Sequence, residues 1–149
     1  MKDHPRSSRQ MALSSKLCPS AQPDLASAIA IGVVDHANES PEVAYLERPL
    51  PVSDELLELA NPVQPTQVFR FAAPCQTGRC SHWSGTDCKL VTRIVRLVPA
   101  VTAELPRCNI RSECRWFAQE GRLACARCPL VVTQNELPSD VMREAAKPK

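Results

Sequence analysis

The sequence predicts a small single α+β domain, in which an N-terminal β-hairpin and a short helix are followed by a helical, cysteine-rich half. Three observations predict it. A chain of 149 residues suits one compact domain. Short apolar, β-branched runs punctuated by proline fill the first half, and helix-spaced apolar residues appear in the second. Seven of the eight cysteines (Cys75, Cys80, Cys88, Cys108, Cys114, Cys125 and Cys128) fall between residues 75 and 128. Aromatic residues make up only 4% of the chain, so the side chains that usually supply much of a core's buried area are scarce. A domain with so thin a core commonly leans on disulfides or on bound metal.

Residues 1–27 are rich in Ser, Lys, Arg, Gln and Pro without sustained periodicity, and are expected to form a flexible, mildly basic arm outside the fold. They contain no uninterrupted apolar run of the signal-peptide kind, and no stretch of about 18 apolar residues occurs anywhere. The expectation is a cytoplasmic protein with no membrane segment. Residues 28–74 read as a hairpin plus a short helix. Apolar runs at 28–35 and 43–46 flank a turn, after which Pro49 and Pro51 are expected to break the ladder. Ser53 then caps a helix to about residue 60, with Asp54 and Glu55 in its positive first turn, and Pro62 and Pro65 close it. A strand at 68–72 delivers the chain to Cys75.

Residues 75–134 form the cysteine-rich region. Leu90, Val91, Ile94, Val95 and Val98 follow helical spacing up to a stop at Pro99, although the β-branched content of the run keeps a strand as the alternative. A second helix is expected over 112–125, with Gly121 as an interruption, and residues 135–149 as a flexible tail. Charge divides along the same boundary. Residues 17–74 carry eight acidic and two basic residues, and residues 75–128 nine basic and four acidic, under an overall net charge of +2.

The cysteines fall into two groups. Cys108-x5-Cys114-x10-Cys125-x2-Cys128 is a complete set of four, enough for tetrahedral zinc or a four-iron cubane. Cys75-x4-Cys80-x7-Cys88 supplies three, and His82 is the candidate fourth metal ligand. Cys18 stands apart in the arm and reads as an incidental thiol, with a remote fourth ligand as the alternative, because ordering a long arm costs chain entropy. In a reducing cytosol such a concentration of thiols points to metal before disulfides. Soft thiolates hold iron or zinc against water, and the metal in turn keeps them deprotonated. Arg79, Lys89, Arg107, Arg111, Arg115, Arg122 and Arg127 all lie within four residues of a cysteine, where their field offsets thiolate charge. Trp83, Trp116 and Phe117 lie beside candidate ligands, either as ordinary core or as an apolar shell.

Zinc modules usually rest on two tight Cys-x2-4-Cys knuckles, whereas here only Cys125-x2-Cys128 is tight; the irregular spacing therefore favours an iron-sulfur cluster, 4Fe-4S first, over zinc. The dipeptide Cys128-Pro129 is similar to the close of a bacterial-type ferredoxin run, but the complete run is absent and no ferredoxin fold is implied. Cys80-Ser-His82 matches half of a Rieske pattern without its second half. No covalent haem motif or glycine-rich phosphate loop occurs, and His4 and His36 read as surface residues.

The function expected from these residues is that of a nonenzymatic iron-sulfur protein with one or two clusters. It would act in electron transfer, redox sensing or as accessory to a larger enzyme, with a protein partner such as a redox enzyme or biosynthetic complex. The alternative is a zinc-stabilised module that binds protein or nucleic acid through its basic half. An enzyme is the third reading: without His82, three thiolates around a metal would leave an exchangeable fourth position.

Overall fold

The computed structural model describes residues 16–37, 41–102, 104–131, 133 and 140–147. Four antiparallel strands, β1 (Leu17–Ala21), β2 (Ile29–Asp35), β3 (Glu42–Pro51) and β4 (Phe69–Pro74), form one sheet in the order β1-β4-β2-β3. The expected hairpin is β2 with β3, paired from Asp35 opposite Glu42 to Ile29 opposite Pro51. Pro49 does not break the ladder as the sequence suggests; β3 runs on to Pro51, its last residue. β3 lies at the sheet edge, where a residue without an N–H can face outward and break no pairing. The register shifts between Ala30 and Gly32, and the strands close tightly there. A Cβ on Gly32 would lie 2.6 Å from Val43 Cγ1 and 2.9 Å from the Ala44 carbonyl oxygen.

β1 corrects the reading of residues 1–27 as an arm outside the fold. Leu17 pairs with Pro74 and Cys18 with Ala73, and the Cys75 N–H donates to the Lys16 carbonyl at 2.8 Å. The order of this short, aperiodic segment comes from its partner, β4, and leaves little trace in local sequence. Residues 1–15 of that expected arm lie outside the described residues.

Strand alternation divides the core in two. Phe69, Phe71 and Ala30 pack with Leu56 of α1 (Asp54–Glu58), whose cap is as expected: Ser53 Oγ accepts the Leu56 N–H at 3.1 Å. A single turn, α2 (Pro65–Val68), leads into β4. Ile31 and Ala72 instead join the larger core with Val91, Ile94, Val98, Ile110, Trp116 and Ala124. The cysteine half therefore covers one face of the sheet.

Residues 90–98 are helical, within α3 (Lys89–Leu97), and Val98 turns extended before Pro99. The expected helix over 112–125 is a 3-10 turn at Arg111–Glu113 followed by α4 (Arg115–Glu120) and α5 (Arg122–Cys125). Gly121 makes the break, with φ 65° and ψ −144°, a conformation essentially reserved for glycine. A last helix, α6 (Asp140–Ala145), corrects the expectation of a flexible tail over 135–149. Ala145 is fully buried and its carbonyl accepts from Arg93 Nε on α3 at 3.0 Å. Residues 134–139 and 148–149 lie outside the described residues. No helix among the described residues is long and apolar enough to cross a membrane.

Replacing Gly121 with Ala strains the joint between α4 and α5 and is expected to cost about 1–3 kcal/mol. The measurement is the urea midpoint, which falls while the denaturant slope stays unchanged.

Candidate metal centre

Cys108, Cys114, Cys125 and Cys128 line one narrow cavity of about 20 Å³. Each sits where a short element starts or stops. Cys108 precedes the Arg111–Glu113 turn, Cys114 begins α4, Cys125 ends α5, and Cys128 opens a 3-10 turn at Cys128–Leu130. The break at Gly121 thus helps a segment of twenty-one residues turn back so that its four cysteines line one space. The rest of the wall comes from both halves of the chain: Pro19, Ile31 and Tyr45 from the sheet, and Arg111, Trp116 and Phe117 from the helical side. Burial pushes the Cys114 thiol up to about 12, against the Phe117 and Trp116 amides of the first turn of α4. Burial also raises the Cys108 thiol, partly opposed by the Ile110 amide.

A residue that sequence reasoning passed over holds this site to the sheet. Arg70, on the central strand β4, is completely buried. Its Nη1 donates to the carbonyls of Val131 at 2.6 Å and Cys128 at 3.1 Å, and its Nη2 lies 3.3 Å from Cys128 Sγ. Its Nε donates to the Pro19 carbonyl on β1, and its guanidinium lies 5.5 Å from the centre of the Trp116 ring. No carboxylate is among these partners. Burial works against the charge, but Cys128, Tyr45 and Cys18 more than offset it and hold the Arg70 pKa above its usual value. A buried cation calls for a matching anion, and here the candidates are the Cys128 and Cys18 sulfurs and the Tyr45 phenol oxygen.

The first group also converges. Cys75, Cys80 and Cys88 line a second, larger cavity of about 370 Å³, and Cys18 and His82 line it with them. Cys75 follows β4, Cys80 closes the 3-10 turn at Thr77–Arg79, and Cys88 immediately precedes α3. Gln119 of α4 clamps the Cys88 peptide: its Oε1 accepts the Cys88 N–H at 2.9 Å and its Nε2 donates to the Cys88 carbonyl at 2.9 Å. Cys18 reaches the group through β1, and burial pushes its thiol up to about 12. The incidental thiol of the sequence reading is a cavity wall. The strand pairing that places it there has no local signal, and only the shared Cys-Pro dipeptide with Cys128 could have hinted at it. His82 borders the same cavity, but its Nδ1 lies 3.1 Å from Arg93 Nη2, and burial and Arg93 together lower its pKa.

All eight cysteines are free thiols. Among the described residues, no three His, Cys, Asp or Glu side chains are drawn tightly enough about one point to hold a single metal ion. Among the described residues, four buried side-chain polar atoms have no hydrogen-bond partner: Asn109 Oδ1, Arg111 Nε, Arg115 Nε and Trp116 Nε1. Trp116, 1% exposed, lines both cavities. No family model, curated protein or solved structure matches the chain.

Replacing Arg70 with Met leaves three carbonyls without their buried donor, and is expected to cost about 3–5 kcal/mol of stability in urea unfolding. Arg70→Lys is expected to restore only part of the loss, because an ammonium cannot reproduce the fork that spans β1 and the 128–131 turn.

Proposed function

We propose that this chain is an iron-sulfur protein that carries a cubane cluster on Cys108, Cys114, Cys125 and Cys128. In this reading it works in a reducing cytoplasm as an electron carrier, redox sensor or accessory to a partner protein. The observation that carries the proposal is the buried Arg70 guanidinium, set against Cys128 Sγ at the edge of a cavity walled by four thiols. Four thiolates around a cluster make a net negative group, and a cation without a carboxylate partner is the complement such a group needs in an apolar interior.

The donor set fits. Cysteine sulfurs are the ordinary ligands of iron-sulfur clusters, and amides beside those sulfurs, such as Trp116 and Phe117 at Cys114, stabilise the thiolate form. Ile31, Tyr45, Trp116 and Phe117 limit water, which is how a protein tunes the potential of such a centre. When bound, the cluster supplies a one-electron redox couple. The chain's own residues bind it, balance its charge and keep solvent from it.

The spacing favours a cluster over a zinc ion: only Cys125-x2-Cys128 is a tight knuckle of the zinc kind, whereas a cubane spreads its thiolates over four separate irons and accepts the looser Cys108 and Cys114. The alternative of a zinc module gripping nucleic acid through its arginines keeps the exposed Arg79, Arg96, Arg107 and Arg122 but loses much of three others. Arg127 donates to the Leu123 carbonyl at 2.8 Å and to the Val98 carbonyl, Arg111 donates to the Pro106 carbonyl, and Arg93 binds the Ala145 carbonyl. Arginines committed to backbone carbonyls have fewer N–H groups left for phosphate.

The full chain purified without oxygen is expected to be brown, to contain iron and acid-labile sulfide in equal amounts, and to give an electron paramagnetic resonance signal on reduction. Cys114→Ala and Cys128→Ala are expected to lose the iron of this site. A colourless protein with stoichiometric zinc and no sulfide would refute the proposal.

A further inference from the structure

We propose that Cys18, Cys75, Cys80 and Cys88 form a second, complete four-thiolate centre for a cubane cluster, with His82 outside its ligand set. This rests on the iron-sulfur reading above and goes beyond it in the number of centres and the identity of the fourth ligand.

The four cysteines come from separate parts of the fold and meet at one cavity. β1 and β4 are paired so that Cys18 lies opposite Ala73, with Cys75 two residues further along β4's path and tied to β1 through the Lys16 carbonyl at 2.8 Å. Cys80 follows within one 3-10 turn, and the loop from Cys80 returns as Trp83 bridges to Cys88. The Gln119 clamp then fixes the Cys88 peptide from α4. The entropy of ordering residues 17–21 is therefore met by sheet pairing, which removes the objection to a remote ligand from the N-terminal segment. The cavity of about 370 Å³ has space for a polynuclear group.

His82 is excluded by the chemistry of its neighbour. Arginine carries only donors, so at 3.1 Å from Arg93 Nη2 the His82 Nδ1 must be the acceptor. The ring proton then resides on Nε2. One nitrogen is engaged and the other protonated, and neither lone pair is free for a metal. Arg93 is itself anchored to the Ala145 and Lys147 carbonyls, so the arrangement is braced from α6. Trp116 is a wall shared with the first centre.

The test is iron and sulfide per chain in the full-length protein assembled without oxygen, for wild type, Cys18→Ala and His82→Ala. The expected values are about eight irons in wild type, about four in Cys18→Ala and about eight in His82→Ala. A second measurement on wild type guards against a Cys18→Ala chain that fails to fold: alkylation of native protein followed by mass spectrometry. Cys18 is expected to be protected with Cys75, Cys80 and Cys88, and to become reactive together with them when the iron is stripped. Because one indole stands between the two spaces, the fully reduced wild type is also expected to show spin-spin broadening that Cys18→Ala lacks. Unchanged iron in Cys18→Ala, half the iron lost in His82→Ala, or Cys18 alkylated at full occupancy would each overturn the assignment. About four irons in wild type with Cys18 reactive would sink this centre and leave the first intact. Two zinc ions per chain falling to one in Cys18→Ala would do the reverse: the iron reading fails and the four-thiolate set stands.

Discussion

A fully buried guanidinium organises this molecule. Arg70 sits in the middle of the sheet, and the groups it binds are the Pro19 carbonyl on the edge strand and the Cys128 and Val131 carbonyls of the last cysteine turn. One side chain thereby joins the N-terminal strand, the central strand and the C-terminal turn, three pieces far apart in sequence. Burying a charge is expensive unless every donor is met and an opposite charge is near. Carbonyl oxygens meet the first demand here. Cys128 and Cys18 sulfurs and the Tyr45 phenol oxygen are positioned to meet the second.

The cysteine side of the fold shows the same economy of secondary structure. Its helices are too short to be stable alone; α4 has six residues and α5 four. They persist because each end is used. Cysteines occupy their termini, Gly121 turns the chain between them, and Gln119 ties α4 to the start of α3. In the proposed function the clusters complete this scaffold, since a small, aromatic-poor core gains folding energy from any group that binds the folded form alone. Stability and redox chemistry would then depend on the same sulfurs.

Trp116 gives the two cavities their relation. It is the largest fully buried side chain, it carries the Arg70 charge over its ring, and it borders both groups of cysteines. Arg115 reaches over Trp83 with its guanidinium 5.1 Å from the ring centre, and Arg111 over Phe117 at 6.0 Å. Arg93, Arg111, Arg115 and Arg127 of the cysteine half are thus engaged by rings and carbonyls, while Arg79, Arg96, Arg107 and Arg122 stay exposed.

The local features of the chain were legible in its residues. Apolar runs and turn chemistry mark the β2-β3 hairpin, Ser53 marks α1, spacing and Pro99 mark α3, and Gly121 marks the break before α5. The grouping of Cys108, Cys114, Cys125 and Cys128 was legible as well, because their separations are short enough for turns to close. Pairing across the sheet was not. Nothing near Leu17–Ala21 signals a strand, since its order is supplied by β4 some fifty residues away, and with it came the place of Cys18. Nothing near Arg70 distinguishes it from a surface arginine. Composition and spacing determine which residues can meet a metal, but long-range hydrogen bonding and burial decide which of them do face one space, because those energies exist only once distant segments are in contact.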